Sequence, residues 1–191
     1  ATSIMEEINK LDTQLFLYLN GKHVAFFDPI MYWASDKLFW LPFYIFIVVI
    51  IISEYKKRSF YVLLAIGLLI TLCDQTASNL IKNTVKRLRP SHEPSLQKLI
   101  HLSQAGKGGE YGFISSHSAN AFGLATFLIL LLPKKYNWLK ITLVLWAVLV
   151  AYSRIYNGVH YPTDVFVAML LGIFYGFLVK YLLVKTKSFK E

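Results

Sequence analysis

The chain has one cysteine, Cys73, and it lies inside an apolar run. An intramolecular disulfide is therefore excluded, and cysteine usage does not reveal the redox compartment. Charge is scarce as well: charged side chains make up 16% of the 191 residues, against about 25% in an ordinary soluble domain. Acidic residues are the rarer sign, 11 Asp and Glu against 20 Lys and Arg, for a net charge of +9. A nucleic-acid partner is one reading of that excess. The basic residues, however, gather at the ends of apolar segments, as membrane flanks do, so no nucleic-acid partner is expected. No Cys/His or carboxylate cluster has metal-ligand spacing, so neither a metal nor a cofactor is expected. Gly106–Gly109, read GKGG, lacks the spacing and the preceding strand of a phosphate loop. There is no internal repeat. The first 20 residues are mixed and polar, unlike a cleavable signal peptide, and Met5 is read as the native start.

Apolar residues dominate what remains. They make up 55% of the chain and the mean hydropathy is +0.48. The expected architecture is all-α: one polytopic membrane bundle of about five transmembrane helices, preceded by interfacial helices. Its parts are an N-terminal interfacial region over 1–37, a membrane domain over 38–184 and a basic tail over 185–191. Ile8, Leu11, Leu15 and Leu19 are spaced as the apolar stripe of a helix lying in the interface. The spans are expected at Leu38–Ser53, Phe60–Ile81, Ser115–Leu132, Trp138–Tyr152 and Pro162–Val184. The first, at sixteen residues, rises only about 24 Å and is short for a bilayer core. The connection Ser91–Tyr111 is long enough to be functional, and Ser95–Ser103 within it is expected to form a short helix.

Five spans put the 82–114 connection, the 153–161 segment and the N-terminus on one side. Residues able to do chemistry collect there. Ser153–Asp164, read SRIYNGVHYPTD, sets Arg154, His160 and Asp164 between two apolar segments. With a helix starting near Pro162, Asp164 lies one turn from His160 and can accept the Nδ1 proton, which prepares an imidazole as nucleophile or base. The alternative is a His and Asp that merely cap a helix. Lys82 and Arg89 are seven residues apart, close to two helical turns, before Pro90 stops the helix. Asp74, Ser78 and Lys82 fall at i, i+4 and i+8, so Asp74 is expected to support the site through Lys82 and to matter more than Asp12. Ser115, Ser116 and His117 open the third span, where free N–H groups suit an anion; a plain N-cap is the alternative. Three cations around two histidines suit a bound phosphate.

These segments resemble the signature of the type 2 phosphatidic acid phosphatase (PAP2) family: K-x6-R-P, then P-S-G-H, then S-R-x5-H-x3-D. The first is intact as Lys82, Arg89 and Pro90, and the third as Ser153, Arg154, His160 and Asp164. The second departs: Ile114 stands for the proline and Ser116 for the glycine. The resemblance implies a PAP2/haloperoxidase-like core and a metal-independent phosphatase of membrane lipids. His160 would be the nucleophile, oriented by Asp164, and His117 the acid and then the base. Lys82, Arg89, Arg154 and the Ser115 and Ser116 N–H groups would hold the phosphoryl oxygens. It further implies a bacterial inner membrane; the Lys and Arg count, equal on the two sides until the site residues are set aside, then favours the Lys56 and Lys134 side as cytoplasmic and a site facing the periplasm or cell exterior. The candidate lipids are undecaprenyl diphosphate, phosphatidylglycerol phosphate, phosphatidate and lipid A, the short chain favouring a polyprenyl diphosphate. A haloperoxidase, a lipid phosphotransferase and a non-catalytic lipid or anion carrier are the competing readings, and the membrane spans argue against the first.

Overall fold

The computed structural model describes residues 3–186 and 189. Most of the tail expected over 185–191, and the residues before Ser3, lie outside that range. Eight α-helices carry the described chain: α1 (Ile4–Asn20), α2 (Asp28–Ser35), α3 (Leu41–Tyr55), α4 (Ser59–Asp74), α5 (Lys82–Val85), α6 (Ser116–Leu131), α7 (Asn137–Tyr156) and α8 (Pro162–Lys185). The one β-feature among the described residues is a single bridge between Leu88 and Tyr111.

Three stretches are long and apolar enough to cross a bilayer: Leu41–Val85, which holds α3 and α4, then Lys134–Tyr156 and Pro162–Lys185; α6 is a shorter apolar helix. The five expected spans correspond to α3, α4, α6, α7 and α8. Their outer faces expose Ile45, Val49, Leu145, Phe166, Phe174 and Phe177. A water-facing surface of that kind is a liability, whereas a bilayer is the solvent that suits it.

At the centre, α6 buries residues on every side, from Ser116 to Leu128. Its closest neighbour is α8, and small residues set the approach. A Cβ on Gly172 would collide with the Ala119 carbonyl oxygen and come within 2.8 Å of the Gly123 nitrogen. Packing of backbone on backbone is how membrane helices associate when apolar burial gives no drive.

The second span differs from its expected form. After α4 the helix widens into a π segment, Gln75–Ile81, before the short α5. Its i→i+5 bonds break the 3.6-residue register. Asp74 and Lys82 therefore form no ion pair among the described residues, and Asp74 makes no side-chain hydrogen bond. The helix also ends earlier than expected, at Val85, with Lys86 left-handed at φ 52°. Arg89 thus follows Lys82 through a left-handed break at Lys86 rather than along one helix face. The helix expected at Ser95–Ser103 is absent as well; 94–99 is a run of turns.

The N-terminal helix does more than lie at an interface. It exposes Ile4, Met5, Ile8, Leu11 and Leu15, while Asp12, Phe16 and Asn20, at i, i+4 and i+8, are buried on its inner face. Phe16 meets Tyr161 edge to face, at 5.5 Å between centroids. Asn20 donates to the His101, Ile155 and Tyr156 carbonyl oxygens.

Candidate active site

His160 lies in the short link from α7 to α8, one residue before the N-cap Tyr161. Its Nδ1 lies 3.4 Å from Asp164 Oδ2, and both side chains are buried. The link turns at Gly158, φ +77°, where a Cβ would fall 2.7 Å from the His101 carbonyl oxygen. Helix α8 begins at Pro162, so Asp164 sits in its first turn. Asp164 Oδ2 also accepts the Tyr161 N–H at 2.9 Å, and Oδ1 accepts from Arg87 at 3.1 Å. The carboxylate is thereby fixed on three sides. Burial lowers the His160 pKa well below the ordinary histidine value, and the positive charges of Arg154, Arg89 and Lys82 lower it further. A neutral imidazole whose Nδ1 faces Asp164 presents Nε2 as a free lone pair.

The three cations come from three parts of the chain. Arg154, on the last turn of α7, is buried and hydrogen-bonded to Ser35 Oγ of α2, and its Nε has no partner among the described residues. Arg89 is buried beneath the 106–112 strap, and its Nε donates to the Tyr111 carbonyl oxygen at 3.0 Å. The strap fits closely: a Cβ on Gly112 would lie 3.1 Å from Asp164 Oδ2 and 3.0 Å from Arg89 Cγ. Burial lowers the Arg89 pKa and the Asp164 carboxylate opposes it; a guanidinium stays charged regardless. Lys82 is half-buried and has no carboxylate partner within ion-pair distance among the described residues. All three thus keep donor capacity for an anion.

The start of α6 divides its donors. Ser115 is the N-cap: its Oγ accepts from the Ser118 N–H at 3.4 Å and from Ser118 Oγ at 3.0 Å. The Ser115 N–H is also committed, to the Asp164 carbonyl oxygen at 3.2 Å. Ser115 therefore joins α6 to α8, in place of the anion-donor role expected for it. The N–H groups of Ser116 and His117, in the first turn, have no intrahelical acceptor and remain for a ligand. His117 is half-buried and faces a cavity of about 300 Å³ that it shares with Ser35 and Lys37.

Three participants were not legible as site residues in the sequence. Arg87 pairs with Asp164 and, at 2.8 Å, with Asp12 Oδ2, and its guanidinium carbon lies 3.9 Å from the Tyr161 ring centroid. Asp12 also accepts from the Thr163 N–H at 3.0 Å. Ser35 holds Arg154. Of these only Arg87 had a local signal, its place in the basic run KRLRP.

The PAP2 superfamily model matches residues 58–188. A lipid A 4'-phosphatase of Bacteroides thetaiotaomicron is 40% identical over 177 residues, 92% of this chain and 78% of that protein. The crystal structure of Aquifex aeolicus LpxE aligns with TM-score 0.65 at 27% identity, over 88% of this chain and 94% of its own. A transmembrane PAP2-type phosphatidylglycerolphosphate phosphatase from Bacillus subtilis aligns with TM-score 0.69 at 27% identity, over 95% and 88%. The family match runs through both histidines, Asp164 and all three cations, leaving only α1, α2 and α3 outside it: the chain belongs to the PAP2 superfamily and is a membrane hydrolase of lipid phosphates.

Proposed function

We propose that this chain removes a phosphomonoester from an acylated sugar lipid of the lipid A type, through a phosphohistidine at His160. The observation that carries the chemistry is the buried His160–Asp164 pair at 3.4 Å, set among three cations that retain free donors. In the first step, the Nε2 lone pair of His160 attacks phosphorus. The N–P bond forms as the P–O bond to the lipid breaks, and His117 gives its proton to the leaving oxygen. In the second, His117 takes a proton from water, the water oxygen bonds to phosphorus and the N–P bond breaks. Lys82, Arg89, Arg154 and the Ser116 and His117 amides match the charge on the equatorial oxygens. Asp74 has no part in this scheme.

The choice of lipid departs from the polyprenyl diphosphate favoured by the sequence. It rests on the identity to a lipid A 4'-phosphatase over 92% of this chain. The site is assigned to the periplasmic or outer face of a bacterial inner membrane: the five-span parity gathers the site on one side, and the Lys and Arg left once site residues are set aside favour the opposite side, with Lys56 and Lys134, as cytoplasmic. Purified protein given phosphorylated lipid A, phosphatidylglycerol phosphate, phosphatidate and undecaprenyl diphosphate should release phosphate fastest from the first. Acid quenching should lose, and alkaline quenching keep, the phosphorylated enzyme. Faster release from undecaprenyl diphosphate would overturn the lipid assignment, and a base-labile, acid-stable intermediate would overturn the phosphohistidine.

A further inference from the structure

The cavity that His117 faces runs into the bundle between α3, α4, α6 and α7. Its wall is largely hydrocarbon, from Ile47, Ile66, Ile70, Leu124 and Val150. Ser35, Asp36, Lys37, His117, Trp40 and Tyr44 bring polar atoms to it as well, but two of its polar side chains hold an atom that is buried with no partner among the described residues. Asn120 stands one turn below His117 on α6, about 4.5 Å deeper along the axis. Its carboxamide makes no hydrogen bond among the described residues, and its Oδ1 is buried without a partner. Trp146 stands on α7, eight residues before Arg154 and so about 12 Å deeper. It is 6% exposed, and its indole Nε1 is likewise buried and unpartnered. The indole is held in place by Trp40, Phe43 and Tyr44, with ring centroids 5.5 to 6.0 Å away. By contrast, Trp40 Nε1 in the same wall is satisfied by the Ala34 carbonyl oxygen at 2.9 Å.

Buried polar groups are nearly always hydrogen-bonded, so each exception calls for an explanation. A slot for pure hydrocarbon would be better lined by apolar side chains at both positions. We propose that this slot receives an acyl chain that carries an amide or a hydroxyl group near its polar end. That group pairs with the Asn120 carboxamide, and an acceptor oxygen of the chain takes the Trp146 N–H. A carboxamide offers both donor and acceptor, as an amide or hydroxyl requires. An all-hydrocarbon prenyl chain offers neither partner, and an ether-linked alkyl chain offers only an ether oxygen as acceptor and no donor. The slot thereby selects amide-linked or hydroxylated acyl lipids among those bearing the same phosphate. This inference rests on the lipid-phosphatase reading above and narrows its substrate class.

The test uses the purified full chain with three substrates: a phosphorylated glucosamine lipid with amide-linked 3-hydroxyacyl chains, a dialkyl ether phosphatidate and a water-soluble aryl phosphate. Asn120→Leu nearly conserves bulk, Trp146→Phe keeps an aromatic ring of smaller size, and both remove the polar atoms. Each should lower the ratio of kcat/KM for the amide lipid to kcat/KM for the ether lipid by roughly tenfold, the loss of about one hydrogen bond. An equal effect on both lipids, or no effect on either, would overturn the selectivity assigned to the slot. Wild-type protein that hydrolyses the aryl phosphate but turns over the ether lipid better than the amide lipid would overturn it too, with the phosphatase reading intact. Wild-type protein inactive on all three would instead overturn that reading, and this inference with it.

Discussion

The carboxylate of Asp12, on the first helix, lies 2.8 Å from the guanidinium of Arg87. The other terminal nitrogen of that guanidinium lies 3.1 Å from Asp164, which lies 3.4 Å from His160. A residue outside the family-matched segment thus bears on the nucleophile through two intermediates. Asp12 is only 4% exposed, so removing its carboxylate strips the Thr163 N–H of its acceptor and leaves Arg87 to Asp164 alone, and a buried group left unpaired costs about 1–3 kcal/mol. Asp74 has no comparable partner. Asp12→Ala should therefore lower both melting temperature and phosphate release well beyond Asp74→Ala, the reverse of the order expected from sequence. Thermal unfolding and lipid turnover of the two variants, side by side, check this. Wild-type values for Asp12→Ala would show that the Asp12–Arg87 contact has no bearing on the site.

The reason for that reversal also separates what the sequence disclosed from what it hid. Five spans were readable because a bilayer demands long apolar helices. His160 and Asp164 were readable because a helix start and a four-residue spacing bring them together with no help from the rest of the fold. Asp12 and Arg87 are 75 residues apart, and Asp12 and Thr163 are 151 apart. No local pattern marks such pairs. Pairing Asp74 with Lys82 requires 3.6 residues per turn between them, and the π segment Gln75–Ile81, which no local pattern announces, breaks that period. The place of Ser115 at a helix start is legible from its neighbours, but only the fold shows its amide engaged by α8.

His160 gives a pH signature. Its folded pKa lies below the ordinary value because burial, then the nearby cations, disfavour the charged ring. Below about pH 6.5 the unfolded chain binds a proton at this residue that the native state refuses. Stability is thus fully present above that pH and is lost as pH falls, at no more than about 1.4 kcal/mol per pH unit for one proton. In phosphate-free buffer, the melting temperature of wild type should fall more between pH 7.5 and 5.5 than that of His160→Gln. Identical slopes in the two proteins would refute the assignment.

Sidedness is open to labelling. Cys73 is buried, and replacing it leaves a thiol-free background. Lys98 lies in the exposed turns of the 91–111 connection and Asn137 is exposed at the start of α7. Lys98 is a better probe position than Gly108, where a side chain would press on Arg89. A membrane-impermeant thiol reagent should modify Lys98→Cys in cells whose outer membrane is permeabilised, and should leave Asn137→Cys unmodified. The opposite pattern would put the phosphate site in the cytoplasm.

The two histidines should part by leaving group. His160 has a carboxylate at its Nδ1 and is assigned the attack on phosphorus, which no substrate can do without. His117 has no carboxylate within ion-pair distance among the described residues; it sits in the first turn of α6 and faces the lipid slot. That place suits a proton donor to the departing oxygen. The value of such a donor depends on how basic that oxygen is, and general acid catalysis contributes about 10²–10⁴-fold where it is needed. A phosphomonoester of a sugar or alcohol expels an alkoxide and needs the proton most. An aryl phosphate expels a weaker base. A lipid diphosphate expels a phosphate whose second pKa is about 6, and needs it least. His117→Ala should accordingly slow single-turnover cleavage of a lipid phosphomonoester by at least about 10²-fold, an aryl phosphate by less and a lipid diphosphate by least. His160→Ala should abolish all three. Single turnover is the right observable, because His117 acts again when water attacks the phosphohistidine and steady-state rates would mix the two steps. Equal losses on every substrate in His117→Ala would mean that it holds phosphate rather than moves a proton.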